Sequence, residues 1–403
     1  MFAYVGGYTT ADRDGRGNGI NVYRIDTQTG TWTHVQNVDG LANPSLFTLR
    51  GDRRVLYSVH GGRDHLTAFT IAPESGHLRM LSRMPCQGNN PVDTALDSGG
   101  RHLVVANYGS GAVAVLPLEP DGRLLPVHQL YELPGKPGPD PVQQKSSHPH
   151  AVIFDPTGGY VIVPDKGFDC TFVFRFDPVT GRIEPTAQGP VASRPGAAPR
   201  HCIFHPSLPV LYVNNELDST VAVYGWSGAT GALTLAQVMS TVPPEHVGKN
   251  TTAEIAVAPD GRFLYVSNRG RDDIALFSIA GDGTLGFLGT TSTGGKRPRF
   301  FTLDPTGDFL YAANQDSDDI TAFRVNKATG QMTVTKSGSA NAQHARRFVD
   351  ATVQSLPFAA VLPQTPATAE FVNTAWQINM QQALTGAETP EQMMQQLQTL
   401  FAN

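Results

Sequence analysis

Apolar and polar residues alternate along most of the chain in short stretches that predict β-strands. The alternation is seen at residues 220–224, 274–277 and 320–323. Each of these stretches is followed by a turn that ends in Gly, a residue that readily takes the positive φ a tight hairpin turn needs. The pattern therefore predicts a chain built from antiparallel hairpins.

The hairpins belong to a long internal repeat. The Gly-containing turns occur seven times, and they end at Gly30, Gly76, Gly122, Gly181, Gly231, Gly283 and Gly330. Six apolar inner strands start at Pro44, Pro91, Pro149, Pro199, Thr252 and Pro298, at intervals of 47, 58, 50, 53 and 46 residues. A period of this length with about four strands per unit is the signature of a β-propeller. We therefore predict an all-β fold, a seven-bladed β-propeller; separate β-sandwich domains would not explain the steady period.

The N-terminus supplies three strands of the seventh blade, at residues 2–7, 19–25 and 32–38. The inner strand of this blade must come from another part of the chain. Pairing the first segment with the last one closes the ring and removes the open sheet edges that would otherwise aggregate. The period places the missing strand near residues 346–353, which resemble the start of the sixth inner strand at residues 297–301.

The composition changes at the C-terminus, and we divide the chain into a propeller at residues 1–340 and an atypical tail at residues 341–403. The tail is rich in Gln, Ala, Thr and Met. Helical spacing at residues 367–384 and a capping box at residues 389–392 predict an appended α-helical segment. From about Pro357 the tail resembles the C-terminus of bacterial extracellular sugar-binding transporter proteins, which suggests a fusion.

The charge and composition of the chain argue against some classes of binding partner. The formal net charge of −5 and a pI near 6.2 argue against nucleic acid or an anionic membrane as the main partner. We find no run of 18 apolar residues and no signal-peptide pattern at the N-terminus. Three cysteines, Cys86, Cys170 and Cys202, are an odd number and suit a reducing compartment. We expect a cytoplasmic protein, and the oligomeric state stays open.

The candidate chemistry lies at one rim of the predicted ring. Inner strands and their neighbours run antiparallel, so the start of one and the end of the other meet at the same rim. The residues that recur in each blade are Asn107, Asp165, Asn215, Asn268 and Asn314, and caps of the local loop explain them. The residues that break the repeat are His148, His150, Arg200, His201, Glu216, Arg269, Lys296, Arg297 and Arg299. Histidines and guanidinium groups that converge in this way favour a site for a small anion.

Other kinds of site fit less well. His148, His150, His201 and Glu216 carry atoms that could bind a metal, but the surrounding arginines would repel a divalent cation and no HExxH motif is present. There is no GxSxG nucleophile elbow and no phosphate-binding P-loop. We therefore predict neither a metal nor a cofactor.

At these residues the chain resembles the seven-bladed lactonase family, the propeller-type 6-phosphogluconolactonases. The motifs that carry the resemblance are YVGGYT at 4–9, NYGSG at 107–111, SHPH at 147–150, PRH at 199–201, NNE at 214–216, PDGRFLY at 259–265, SNRG at 267–270 and NQDS at 314–317. They cover residues 2–340 in order. The resemblance implies hydrolysis of 6-phosphoglucono-δ-lactone to 6-phosphogluconate without a metal.

The residues at the rim suit this chemistry. His148 or His150 would activate water, Arg200 or Arg269 would stabilise the developing oxyanion, and Glu216 would orient one of these groups. The residues expected to bind the substrate are His201, Asn215, Asn268, Lys296, Arg297, Arg299 and Asn314. Two alternatives remain: a carboxymuconate-type lactonising isomerase, and a propeller that binds sugar phosphates or other proteins without catalysis.

Overall fold

The computed structural model describes residues 2–25 and 32–335, and these form seven antiparallel β-sheets. We number the blades in chain order from Pro44, so the N-terminal sheet is blade 7. Blade 7 contains β1 (Phe2–Val5), β2 (Ile20–Ile25) and β3 (Trp32–Val38), with a 3-10 turn at Ala11–Arg13. Blade 1 contains β4 (Pro44–Leu49), β5 (Val55–His60), β6 (His65–Ile71) and β7 (Leu78–Pro85). Blade 2 contains β8 (Pro91–Leu96), β9 (His102–Asn107), β10 (Ala112–Pro117) and β11 (Gln129–Glu132).

The remaining four blades follow the same order. Blade 3 contains β12 (Ile153–Phe154), β13 (Tyr160–Asp165), β14 (Cys170–Phe176), β15 (Ile183–Pro185) and β16 (Val191–Ala192), which pairs with β14. Blade 4 contains β17 (Pro199–Phe204), β18 (Val210–Asn215), β19 (Thr220–Ser227) and β20 (Ala232–Ser240). Blade 5 contains β21 (Thr251–Val257), β22 (Phe263–Arg269), β23 (Asp273–Ile279) and β24 (Leu285–Ser292). Blade 6 contains β25 (Pro298–Leu303), β26 (Phe309–Asn314), β27 (Asp319–Val325) and β28 (Met332–Val334). The all-β, seven-bladed architecture predicted from the repeat is confirmed.

The second strand of each blade lies at the centre of the hydrophobic packing. In β5, β9 and β13 every residue is buried, because both faces of the sheet pack against a neighbouring blade. Burial on both faces explains the near-continuous runs of Val, Leu, Ile and Tyr in these strands. The cores consequently lie between blades rather than within one of them.

A tyrosine in the second strand joins neighbouring blades through the Gly turns. The Tyr57 hydroxyl donates to the Gly122 carbonyl at 2.9 Å, and Tyr212 and Tyr265 donate at the same distance to glycine carbonyls one blade further on. At Gly122 the φ of +90° and the close approach of Tyr57 leave no room for a side chain. The repeated Gly is therefore required both by the turn and by the contact between blades.

The N-terminal sheet closes the ring by packing on both of its neighbours. Ala3, Val5 and Tyr23 share a hydrophobic cluster with Tyr311 of blade 6. On the other face, Tyr4, Ile20 and Val22 pack with Phe47 and Phe69 of blade 1 in a second hydrophobic cluster. The three described strands of blade 7 therefore pack against both blade 6 and blade 1.

The predicted inner strand at residues 346–353, the appended helices and the transporter-like tail lie outside the described residues, and the division at residue 340 stays a prediction. Within the described residues β1 ends its sheet on the inner side. We expect that a chain ending at Ser339 will unfold at a lower temperature than the full chain, because the edge of β1 would lose the strand proposed to pair with it. An unchanged midpoint of thermal unfolding would contradict the assignment of residues 346–353.

Candidate active site

A local irregularity in the inner strands turns side chains into the central channel. In blade 3 an isolated bridge joins Pro149 to Asp165 ahead of β12. In blades 4 and 6 the inner strand pairs its first residue with the end of the second strand, and the register then shifts, between Pro199 and His201 and between Pro298 and Phe300. The same shift occurs in blades 1, 2 and 5. An extra residue of this kind bends the strand and re-aims its side chains. The two positions after the first residue therefore face the channel.

These two positions build the wall of a pocket at the predicted rim. The lining residues are Tyr8, Ser45, Leu46, Val92, His150, Arg200, His201, Glu254, Arg299 and Phe300. All of them except Tyr8 lie one or two positions after the last residue paired with the end of a second strand, which is Pro44, Pro91, Pro149, Pro199, Thr252 or Pro298. The open space among these residues is about 410 Å³ and includes part of the solvent at the mouth of the channel.

One buried carboxylate organises three cations beside the pocket. Glu216, the residue after β18, accepts a hydrogen bond from Lys166 Nζ at 2.8 Å and lies 3.1 Å from both Arg200 Nε and Arg269. Burial alone would raise the pKa of Glu216, but Arg269, Lys166 and Arg200 together hold that pKa well below its usual range. Glu216 is consequently ionised, and it fixes cationic groups from blades 3, 4 and 5 in one place.

Arg200 brings a fixed positive charge to the pocket wall. Its side chain is 2 % exposed, and its guanidinium group donates to the Ala253 carbonyl. Burial and the nearby Arg299 and Arg269 lower the pKa of Arg200 to about 9. The group therefore stays protonated at neutral pH, even though four cations crowd this part of the channel.

His201 and Glu254 form a hydrogen-bonded pair inside the pocket. His201 Nδ1 lies 3.0 Å from Glu254 Oε1, which also accepts the Ile255 amide at 3.0 Å. The second oxygen, Oε2, is buried and has no hydrogen-bond partner among the described residues. Burial lowers the pKa of His201, and the Glu254 carboxylate opposes this shift. His201 is thus a neutral imidazole with an acidic partner.

His150 lies next to His201 but has different surroundings. The two rings are 5.2 Å apart between centroids, and the edge of Tyr108 contacts His150 at 5.3 Å. His150 Nδ1 is buried and has no hydrogen-bond partner in the described part of the chain. Burial, followed by Arg200 and His201, holds the pKa of His150 well below its usual range. This imidazole is neutral and difficult to protonate.

His148 does not line the pocket. Its ring stacks on Tyr108 with centroids 4.4 Å apart, and its Nδ1 lies 2.9 Å from the Tyr108 carbonyl. Its backbone amide donates to Asp165, which also accepts the Ser147 hydroxyl. The recurring Asp at the end of β13 therefore anchors the SHPH segment, and His148 packs on the loop that supports His150.

The three asparagines proposed to bind substrate are engaged within their own blades. Asn215 Nδ2 donates to Thr220 at 2.9 Å, Asn268 Nδ2 donates to Asp273 at 2.9 Å, and Asn314 Nδ2 donates to Asp319 at 2.6 Å. All three side chains are buried and absent from the pocket lining. Capping of the local loop, which explains why Asn recurs at the end of the second strands, therefore accounts for these three residues.

The basic residues of blade 6 divide into two groups. Arg299 is half-buried and lines the pocket. Lys296 and Arg297 are exposed at the rim, and Arg297 lies 3.8 Å from Asp316 in an ion pair that solvent screens. The structure therefore brings Arg299 to the site and leaves the other two outside it.

Sequence reasoning missed Lys166, Tyr108 and Glu254. Lys166 and Tyr108 directly follow the last residue of a second strand, as Glu216 does in blade 4. Arg269 is itself the last residue of the second strand in blade 5. Glu254 lies two positions after Thr252, the last paired residue before the register shift of β21, and no proline marks the start of this strand. Position in the repeat was therefore the signal that could have found all three.

No three His, Cys, Asp or Glu side chains of the described residues form a group that could hold a metal ion. No helix in the described ranges is long and apolar enough to cross a membrane.

The ring of seven sheets and its motifs define the class of protein. The family profile described as "Lactonase, 7-bladed beta-propeller" matches residues 2–346, and the chain belongs to this family. It is a lactonase, a carboxylic ester hydrolase, as its similarity to several 6-phosphogluconolactonases shows.

The similarity to these relatives extends over most of both chains. The chain is 34 % identical over 338 residues to a 6-phosphogluconolactonase of Bacillus subtilis (strain 168), covering 83 % of this chain and 94 % of the relative. It is 30 % identical over 328 residues to a 6-phosphogluconolactonase of Formosa agariphila, covering 78 % and 91 %. Among solved structures, the periplasmic gluconolactonase of Pseudomonas aeruginosa superposes with a TM-score of 0.78 at 31 % identity, covering 88 % of this chain and 99 % of that one.

Proposed function

We propose that the protein hydrolyses 6-phosphoglucono-δ-lactone to 6-phosphogluconate. The observation that carries the proposal is the charge around the pocket. The cations Lys166, Arg200, Arg269 and Arg299 face two carboxylates, Glu216 and Glu254. This excess of positive charge favours a dianionic ligand such as a phosphate ester.

The two ends of such a substrate would meet different groups. Arg299 lies half-buried in the pocket wall, two residues after Arg297 in the chain. Arg297 and Lys296 are exposed at the rim. We assign the phosphate to Arg299, because a solvent-facing cation can bind it while the sugar ring reaches inward. The lactone carbonyl would then lie near Arg200, where a fixed buried cation stabilises the oxyanion that forms when water attacks.

A histidine activates the attacking water in this proposal. Ester hydrolysis needs a base near neutral pH, and the pocket wall carries the neutral imidazoles of His150 and His201. Glu216 and Arg269 do not line the pocket, and we assign them a supporting role: Glu216 holds Arg200 in place. We leave Asn215, Asn268 and Asn314 out of the proposed site.

A second candidate substrate is the unphosphorylated glucono-δ-lactone, because the Pseudomonas aeruginosa structure is described as a gluconolactonase. The enzyme should be assayed with both lactones, by the acid released into a pH indicator, at rates above spontaneous hydrolysis. We expect a higher kcat/KM for the phosphorylated lactone. Equal values would contradict the phosphate assignment, and no hydrolysis of either lactone would contradict the function. A muconate-type substrate tests the isomerase alternative in the same experiment.

Replacing Arg299 by alanine should separate the two substrates. We expect kcat/KM for the phosphorylated lactone to fall by about 10- to 100-fold, the loss of one charge-assisted hydrogen bond of about 1.5–3 kcal/mol. The value for glucono-δ-lactone should change little. The matched control is Arg262→Ala, since Arg262 is exposed and pairs with Asp260 of a turn. An equal loss on both lactones would show that Arg299 does not bind the phosphate.

A further inference from the structure

Three histidines lie at or next to the pocket, and their hydrogen-bond partners distinguish them. His201 Nδ1 faces a carboxylate oxygen, Glu254 Oε1, at 3.0 Å. His148 Nδ1 faces a backbone carbonyl, and His150 Nδ1 has no partner among the described residues. A carboxylate at Nδ1 holds the proton on that nitrogen, so that Nε2 carries the lone pair that can accept a proton.

We propose that His201 is the general base of the hydrolysis and that Glu254 is its positioning residue. The proposal rests on the lactone hydrolysis proposed above and names the group that activates water. Both residues line the pocket, on neighbouring inner strands β17 and β21. Their side chains are held from behind, because the His201 amide donates to Asn214 and the Glu254 amide donates to Ser267.

Glu254 compensates the positive charge that His201 gains when it takes a proton. A base that takes a proton becomes a cation, and the pocket already contains Arg200 and Arg299. His150 faces these same arginines without a carboxylate on its ring, so its protonation is strongly disfavoured. For His201 the new positive charge forms against the Glu254 carboxylate at hydrogen-bond distance. The imidazolium is therefore stabilised at His201 and not at His150.

The charged and titratable groups facing the pair come from every neighbouring inner strand. Arg200 and Arg299 lower the pKa of His201, and Glu254 raises it, while burial makes the largest contribution and lowers it. The ring of His150 lies 5.2 Å from the ring of His201 between centroids. Behind Glu254, burial raises the pKa of Asp93 to about 7, and the Glu254 charge adds to this shift. Asp93 is thus a buried carboxyl group near the pair that titrates near neutral pH.

The chemical step balances around His201. Its Nε2 takes a proton from water as the water oxygen bonds to the lactone carbonyl carbon. The tetrahedral intermediate then breaks the bond between that carbon and the ring oxygen. The ring oxygen takes the proton from the His201 imidazolium and becomes a hydroxyl group. The carboxylic acid that results loses one proton to solvent, which is the proton the assay detects.

Two variants test the assignment. We expect His201→Asn to lower kcat by about 10²- to 10⁴-fold with a small change in KM, the range for removal of a general base. Glu254→Gln keeps an acceptor near Nδ1 but removes the charge. In the wild type kcat/KM should rise with pH as His201 loses its proton. In Glu254→Gln the pKa of this rise should move to lower pH, because the imidazolium loses its carboxylate. Glu254→Asp should restore the wild-type profile in part.

Controls separate the possible failures. His77→Asn makes the same substitution at an exposed histidine of the outer turn in blade 1 and should leave the rates unchanged. If His148→Asn or His150→Asn abolishes turnover while His201→Asn does not, the base is assigned wrongly although the function stands. An unmoved pH profile in Glu254→Gln would overturn the role of Glu254. A wild-type enzyme that hydrolyses no lactone would instead overturn the proposed function.

A third variant tests whether Asp93 causes the pH dependence of kcat/KM. Asp93→Asn removes the buried carboxyl group near the pair whose pKa is raised to about 7. We expect the acid limb of kcat/KM to remain in this variant, since it belongs to His201. Loss of the limb in Asp93→Asn and its persistence in Glu254→Gln would assign the titration to Asp93 and overturn the proposal.

Discussion

Replacing Glu216 by glutamine is expected to destabilise the protein by about 3–5 kcal/mol, the usual cost of leaving buried charges without their partner. The neutral amide would leave Lys166, Arg200 and Arg269 close together with no carboxylate to compensate them. These cations come from three blades, so their repulsion would act across two contacts between blades. The free energy of unfolding in urea measures the effect.

Two comparisons sharpen this test. Glu184→Gln, at an exposed position of β15, makes the same substitution and should change the stability little. Adding Lys166→Met to Glu216→Gln removes one uncompensated cation and should restore part of the stability. A loss equal to that of Glu184→Gln would show that the carboxylate does not hold the cluster together.

The same variant should differ from the wild type in its response to acid. The folded pKa of Glu216 is lowered, so its contribution to stability is present above its unfolded pKa of about 4.5 and is lost as pH falls towards the folded pKa. Glu216→Gln lacks this contribution at every pH. The difference in stability between the two proteins should therefore shrink as the pH falls below about 4.5.

Replacing Arg200 by alanine is expected to lower kcat by about 10²- to 10³-fold, the cost of removing one group that stabilises an oxyanion. Arg200 is buried in the pocket wall and fixed by Glu216 and the Ala253 carbonyl, so the enzyme needs no rearrangement to present its charge. Arg200→Lys should recover little activity, because an ammonium group cannot reproduce the planar guanidinium contacts.

The measurement for Arg200 is the initial rate of lactone hydrolysis per folded protein, since the substitution also disturbs the Glu216 cluster. Arg182→Ala, at an exposed arginine, is the control and should retain full activity. A kcat within a few-fold of the wild type, in a protein that remains folded, would exclude Arg200 from the chemical step.

Much of the fold could be predicted because its signals are local. A Gly that allows a hairpin turn and a Pro that opens an inner strand are visible in the sequence, and their regular spacing determines the number of blades. The three N-terminal strands were also visible. The side chains that pack where the ring closes, such as Ala3 and Tyr311 in one cluster, depend on distant contacts that no local pattern reveals.

The site could be predicted in its location but only partly in its members. His150, Arg200, His201 and Arg299 were found because they interrupt the repeat, and they line one pocket. Glu254 was missed because it breaks no visible motif, and its function comes from a neighbour 53 positions away in sequence, His201. The orientation of each side chain depends on the register shift in the inner strand, which is a property of strand pairing and not of residue type.

The tyrosine bonds to the Gly turns have a consequence for how such a protein can vary. Tyr57, Tyr212 and Tyr265 hold the outer turns at Gly122, Gly283 and Gly330 at one distance from the preceding blade, so an insertion in these turns would open a contact between blades. At the pocket rim, the segment between β11 and β12 is by comparison 20 residues long, from Leu133 to Val152. Substrate preference can therefore diverge through longer loops at the pocket end of the ring, while the tyrosine hydrogen bonds at the outer turns keep the spacing between blades constant.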